Sequence, residues 1–217
     1  MMRIEEIKVV TIIGAGVMGS GIAQHFAQAG YEVQLYARRE ESLGAARPRI
    51  AKNQAMMVEA GLLAKPAAAE ALSRIRTVTN LEEAVRGCQF VNESVPEDLG
   101  LKREIFAALD RHAPSEAVLS TNTSGLSITA IASATSRPDR VVGLHWMNPP
   151  HLMPPVEVTR GRETSTAVMD FTCDLARRIG RIPIRVEKDV PGLLWNRLQL
   201  ALIREAIHVI EEGIASP

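Results

Sequence analysis

Cysteine is scarce: the 217 residues hold two, Cys88 and Cys173. They lie far apart and form no C-x-x-C, which argues against a zinc site or a disulfide framework and leaves reduced thiols, as in the cytoplasm. Charge of either sign is not in surplus, because Lys plus Arg and Asp plus Glu both number 25. A general polyanion binder needs a basic excess, so nucleic acid is not an expected partner. Long apolar runs are missing as well. The opening MMRIEEIKVV has no signal-like apolar core, and no stretch approaches the ~20 apolar residues that span a bilayer. No repeat and no low-complexity segment interrupts the chain. These absences describe a cytoplasmic globular protein with no metal cluster and no membrane partner.

What is present is alternation. Short β-branched runs at Lys8–Ile13, Tyr31–Tyr36, Arg76–Val78, Phe90–Ser94, Ala117–Ser120, Arg140–Leu144, Val156–Arg160 and Ile182–Val186 read as strands. Helical spacing fills the intervals Val17–Ala29, Glu40–Ala60, Pro66–Ser73, Leu81–Arg86, Leu99–His112 and Thr164–Ile179. Strands alternating with helices predict an α/β fold of the Rossmann type, doubly wound, with a mainly parallel sheet. The composition shifts at Lys188-Asp189-Val190-Pro191-Gly192. Beyond it a helix, about Pro191–Glu212, is apolar on most of its circumference and calls for cover by other helices. The expected division is a dinucleotide-binding unit over residues 1–188 and the first helix of an all-helical domain over 189–217.

Two stretches carry chemistry. Gly14-Ala15-Gly16-Val17-Met18-Gly19 sits between the first strand and the first helix. In that context Gly14 permits a tight turn, Gly16 lets backbone approach a pyrophosphate, and Gly19 lets helix and strand pack closely. The second strand ends Leu35-Tyr36-Ala37-Arg38-Arg39, with Ala37 where an acid would hold the ribose of NAD. A small residue followed by arginines suits the 2′-phosphate of NADP, whereas solvated turn charges would leave NAD as the cofactor.

The second stretch is GLHWMNPPHLMPPVEV, Gly143–Val158. It places His145 at the carboxyl end of a strand, where ligands bind in open α/β sheets. Glu157 follows in the next strand-like run, and the proline pairs between them let the chain fold back. An imidazole, with an ordinary pKa of about 6.5, suits removal of a hydroxyl proton. A buried carboxylate beside it would fix the tautomer and stabilise the charged ring. His25, His112 and His208 read as surface or satisfied histidines, whereas His151 is weighed as a substrate contact. Trp195 and the pair Met56-Met57 read as packing residues.

The motifs GAGVMGSGIA, NESVPED with LGLKREIF, STNTSGLSIT, GLHWMNPP with its VEV, and KDVPGLLWNRL resemble, in this order and over essentially the whole chain, the 3-hydroxyacyl-CoA dehydrogenases and related 3-hydroxybutyryl-CoA enzymes. The resemblance implies that His145 is the catalytic histidine and Glu157 its carboxylate partner. It implies that Ser124 and Asn196 hold the substrate's reacting oxygen, and that Ser124 and Asn148 lie beside the nicotinamide. It also implies cofactor contacts from Gly14, Gly16, Val17, Met18, Gly19, Glu97 and Lys102. Ala37 departs from the family's NAD-binding acid and leaves NAD or NADP open.

An acyl-CoA is the substrate the resemblance implies. The helix at Glu40–Ala60 offers only Arg47, Arg49 and Lys52 for its nucleotide end. The proline-rich segment is also similar to versions in relatives that act on carnitine or on a pyridine carboxylate. A cofactor-binding protein without catalysis, like the lens crystallins of this group, and a truncated module are further alternatives. The resemblance implies a homodimer through the C-terminal helix.

Overall fold

The computed structural model describes residues 3–217. Eight strands form one sheet: β1 Val9–Ile13, β2 Glu32–Tyr36, β3 Ile75–Val78, β4 Phe90–Glu93, β5 Val118–Thr121, β6 Val141–Trp146, β7 Pro155–Thr159 and β8 Ile182–Val186. Their spatial order is β3-β2-β1-β4-β5-β6-β7-β8. Every pairing is parallel except β6 with β7, which is antiparallel. The helices are α1 Val17–Gln28, α2 Glu40–Glu59, α3 Lys65–Ser73, α4 Leu81–Val85, α5 Leu99–His112, α6 Ile128–Ala132, α7 Thr166–Arg178 and α8 Trp195–Glu211.

The central strands β1 and β4 to β7 are buried on both faces because successive side chains point to opposite sides and helices cover each, whereas the edge strands β3 and β8 are partly exposed. Val10 and Ile12 of β1 join one core with Phe26 of α1, Ile50 of α2 and Met169 of α7. Ile13, one residue on, joins the other with Val85 of α4, Phe106 of α5 and Ile131 of α6. This is the doubly wound arrangement expected from the alternation. The strand order reverses between β1 and β4, which opens a crevice at their carboxyl ends. Cys88 and Cys173 are free and buried.

The structure departs from the sequence reading at the end of β6 and in a short helix after β5. The strand expected to stop at Leu144 runs to Trp146, so His145 lies inside β6 rather than just past it. The pairing that follows is antiparallel, since the proline segment is too short for a crossover. A helix at Ile128–Ala132 was not foreseen. Five residues are too few to show a period, and its first amides are met both by the local cap Ser127, whose Oγ accepts from Ala130 N at 3.1 Å, and by distant Asp189, which accepts from Ile128 N at 3.1 Å and Thr129 N at 2.8 Å. The apolar C-terminal helix does form, but none of its residues is buried, and Leu198, Leu202 and Ile207 stay exposed.

Candidate active site

The glycine turn is shaped by contacts that only small residues allow. Gly14 has φ +107°, and its N–H donates to Tyr36 O at 2.8 Å, which ties the turn to β2. A Cβ on Gly19 would lie 1.8 Å from Gly14 O, so helix and strand could not approach as they do. Around Gly16 the situation is reversed: nothing lies within 4 Å of where a Cβ would point. That open space sits over the N-terminus of α1, whose first amides have no partner within the helix. The residues fit a dinucleotide's pyrophosphate.

From this turn a cleft of about 710 Å³ runs over Ala37, Arg38 and Arg39 on one side and Ser94 to Pro96 on the other. Ala37 is buried and offers no acid. Glu41, in the first turn of α2, lines the same wall. Arg49 of α2 reaches the turn itself, with Nη1 3.0 Å from Ser20 Oγ and 3.2 Å from Ala15 O. By sequence Arg49 is one of three basic residues of its helix, with Arg47 and Lys52. The one signal for its role is the helical register that puts it above the turn.

A second cleft, of about 640 Å³, adjoins the first, and Val17 and Met18 line both. His145 lies in its wall, and Glu157 is its register partner across β6 and β7. His145 Nδ1 is 2.6 Å from Glu157 Oε2. The carboxylate can only accept, so Nδ1 carries the proton and Nε2 is left as the ring's acceptor. Glu157 is fully buried and its other oxygen is also satisfied: Oε1 accepts from Leu194 N at 2.9 Å and Trp195 N at 2.6 Å. Burial pushes the Glu157 carboxyl up, but the bonds from His145, Trp195 and Leu194 outweigh it and hold it below the usual carboxylate range.

Ser124, Asn148 and Asn196 line this cleft with His145. Asn196, at the start of α8, donates from Nδ2 to Ser124 O at 2.8 Å, which closes one side. Glu97 organises the Ser124 turn through one oxygen. Its Oε1 accepts from Thr123 Oγ1, Ser124 N at 2.9 Å and Gly125 N at 3.0 Å. Lys102 is buried rather than presented to solvent. Its Nζ is 2.7 Å from Glu93 Oε1 and 3.5 Å from Glu97 Oε2, so it braces the cleft from beneath.

The structure brings in residues that the sequence reading passed over. Trp195, read there as packing, is 36% exposed and lines the cleft. Asn122 accepts from Trp146 N at 2.8 Å and so secures the end of β6; its signal lay in the quoted STNTSGLSIT. His151, weighed as a substrate contact, turns toward α1, with Nδ1 3.5 Å from the Cβ position of Gly21. His25 is a satisfied, partly buried histidine, 2.7 Å from Ile179 O through Nε2, as expected. His112 lies 3.9 Å from Glu82 and His208 3.2 Å from Glu211, both away from the cleft.

Residues 9–190 match the family model described as 3-hydroxyacyl-CoA dehydrogenase, NAD binding domain. A 3-hydroxybutyryl-CoA dehydrogenase of Clostridioides difficile is 37% identical over 95% of this chain and 73% of its own length. A 5-formyl-3-hydroxy-2-methylpyridine 4-carboxylate 5-dehydrogenase of Mesorhizobium japonicum is 35% identical over 97% of this chain and 67% of its own. Among solved structures, a 3-hydroxybutyryl-CoA dehydrogenase from Escherichia coli superposes with a TM-score of 0.92 at 35% identity. That match covers 98% of this chain and 44% of the E. coli chain. The chain therefore belongs to the 3-hydroxyacyl-CoA dehydrogenase family, and most of it corresponds to the family's NAD-binding domain.

Proposed function

We propose that the protein transfers hydride between the secondary alcohol of a 3-hydroxyacyl-CoA and NAD(P)⁺, with His145 as general base. The observation that carries this reading is the His145–Glu157 pair, which opens into a cleft continuous with the glycine turn at Val17 and Met18. When bound, the nicotinamide supplies the hydride acceptor. Gly16 and the amides that open α1 would hold the pyrophosphate, with Arg49 beside the turn. His145 Nε2 takes the hydroxyl proton in oxidation and returns it in reduction, while Glu157 keeps Nδ1 protonated and balances the imidazolium. Ser124 and Asn196 hold the reacting oxygen, and Asn148 faces the nicotinamide side. Assay of the full-length protein with acetoacetyl-CoA and reduced cofactor tests the reading; turnover of free ketoacids alone would redirect it.

That second outcome has a specific observation in its favour. Arg49 is engaged at the glycine turn, which leaves Arg47 and Lys52 as the basic residues of α2 for the nucleotide end of CoA. A small hydroxy acid without CoA, of the kind named for the M. japonicum relative, needs no such cations.

For the cofactor, Ala37 with Arg38 and Arg39 favours acceptance of NADP(H), and Glu41 at the same wall favours NAD(H). We further propose that residues 189–217 begin a helical unit and that the apolar side of α8 pairs with a second copy in a cytoplasmic homodimer, which light scattering would read directly.

A further inference from the structure

The segment Met147–Pro155 joins the two members of the His–Glu pair, and it is poor in donors. Pro149, Pro150, Pro154 and Pro155 carry no N–H, so its carbonyls outnumber its amides. Leu152 N and Met153 N both turn inward to Pro149 O at 3.0 Å. Two other carbonyls are served from outside by one side chain. Arg181 donates from Nη1 to Met153 O at 3.0 Å and from Nη2 to Pro150 O at 2.8 Å.

The same Nη2 is 2.7 Å from His25 Nδ1 on α1. His25 Nε2 is 2.7 Å from Ile179 O, and a carbonyl only accepts, so Nε2 holds the proton and Nδ1 receives Arg181. The guanidinium lies 5.5 Å from the ring centroid of Trp146, the residue after His145, and the His25 ring meets that indole edge-on. Arg181 is 7% exposed, and its partners are carbonyls, an imidazole and an indole face rather than a carboxylate. Burial lowers its pKa to about 10, which still leaves it charged at neutral pH. Filling space does not need a buried cation, whose desolvation is costly, and a methionine would occupy the volume. One turn before His25, Gly21 supplies the room: a Cβ there would come 2.6 Å from Pro150 Cγ.

From this we propose that Arg181 is a positioning residue for the hydride transfer. Through Pro150 O, Met153 O and His25 it fixes the Met147–Pro155 segment against α1. It thereby holds Met147, Asn148 and Met153 at the wall of the catalytic cleft. Because α1 also opens at the glycine turn, cofactor and catalytic wall share one rigid reference. The inference rests on the hydride-transfer reading of that cleft.

The test uses the full-length protein with Arg181→Met, His25→Phe and His25→Gln. It reads amide exchange at Leu152 and Met153, steady-state kinetics with acetoacetyl-CoA and NADH, and NADH affinity. Arg181→Met should exchange those two amides about tenfold faster, with β6 and β7 amides unchanged. Its kcat should fall about tenfold while the NADH dissociation constant stays within about twofold. His25→Phe keeps a ring against Trp146 but loses the acceptor, and should move the same way. A glutamine can donate to Ile179 O and accept from Arg181, so His25→Gln should stay within about twofold of wild type. Unaccelerated Leu152 and Met153 amides would overturn the proposal. So would faster exchange spread evenly over the sheet with kcat unchanged, the mark of a merely structural role. If Arg181→Met does not fold, the His25 pair decides by the same readouts. A wild type that turns over acetoacetyl-CoA with neither NADH nor NADPH would sink the substrate reading alone, and the exchange pattern would still decide the role of Arg181.

Discussion

His145 and Glu157 face each other as register partners across the antiparallel β6–β7 pairing, with Nδ1 and Oε2 2.6 Å apart. The geometry makes Glu157→Gln informative. A glutamine has one accepting oxygen, whereas Glu157 serves His145 with one oxygen and the Leu194 and Trp195 amides with the other. If the amide oxygen keeps Leu194 and Trp195, its NH₂ forces His145 to carry its proton on Nε2, and the base is lost. Turnover should fall at least about 100-fold with the fold retained. Steady-state kinetics beside circular dichroism check this, and a near-normal rate would make Glu157 a purely structural acid.

Gly16→Ala and Gly19→Ala should separate binding from folding. A methyl on Gly19 meets Gly14 O at 1.8 Å, so this variant should lose more than about 2 kcal/mol of stability. A methyl on Gly16 meets nothing within 4 Å, so the denaturation midpoint should hold while cofactor affinity drops at least about tenfold. Equal effects on stability from both would contradict the assignment of Gly16 to the pyrophosphate.

Much of this was legible because each feature is local. The β-branched runs follow from a short period, the glycine turn from one contiguous motif, and the His–Glu pair from two neighbouring strands joined by a proline segment. What escaped was set by contacts between distant segments. The helix at Ile128–Ala132 is completed by Asp189 beyond its local Ser127 cap, the place of Trp195 depends on Glu157, and Arg49 reaches the glycine turn from the next helix. The burial of Lys102 depends on Glu93, which was not singled out at all. The β6–β7 reversal was readable from the prolines, but the strand's run through Trp146 rests on Asn122 from the neighbouring turn.

Stability should fall with acid in two windows. His25 is lowered from 6.5 to about 4, first by burial, then by Arg181, with His151 adding a smaller repulsion. The unfolded state therefore binds more protons than the folded one between those values. Stability is full above pH 6.5 and declines toward pH 4, by roughly 3 kcal/mol. Glu97, Glu157 and Asp189 are all held below their usual range despite burial, so their contribution is present above about pH 4 and lost below it. Urea midpoints across pH 8 to 3 check this, with His25→Gln expected to remove the His25 share of the upper slope and leave the smaller share of His151, which burial also lowers.

Arg38→Ala with Arg39→Ala should weaken NADP(H) at least about tenfold and leave NAD(H) within about twofold, since a 2′-phosphate would pair with them in the cleft beside Ala37. Titration of both cofactors measures it. A strong wild-type preference for NAD(H) would assign the ribose to Glu41 and leave the arginines as solvated turn charges.

Whether this cleft works on a 3-hydroxyacyl thioester with His145 as base is read from turnover of acetoacetyl-CoA with reduced cofactor by full-length wild type and His145→Ala. Wild type should turn over robustly and the variant should lose about 10²–10⁴-fold, with cofactor affinity nearly intact. Comparable turnover by the two proteins would contradict it.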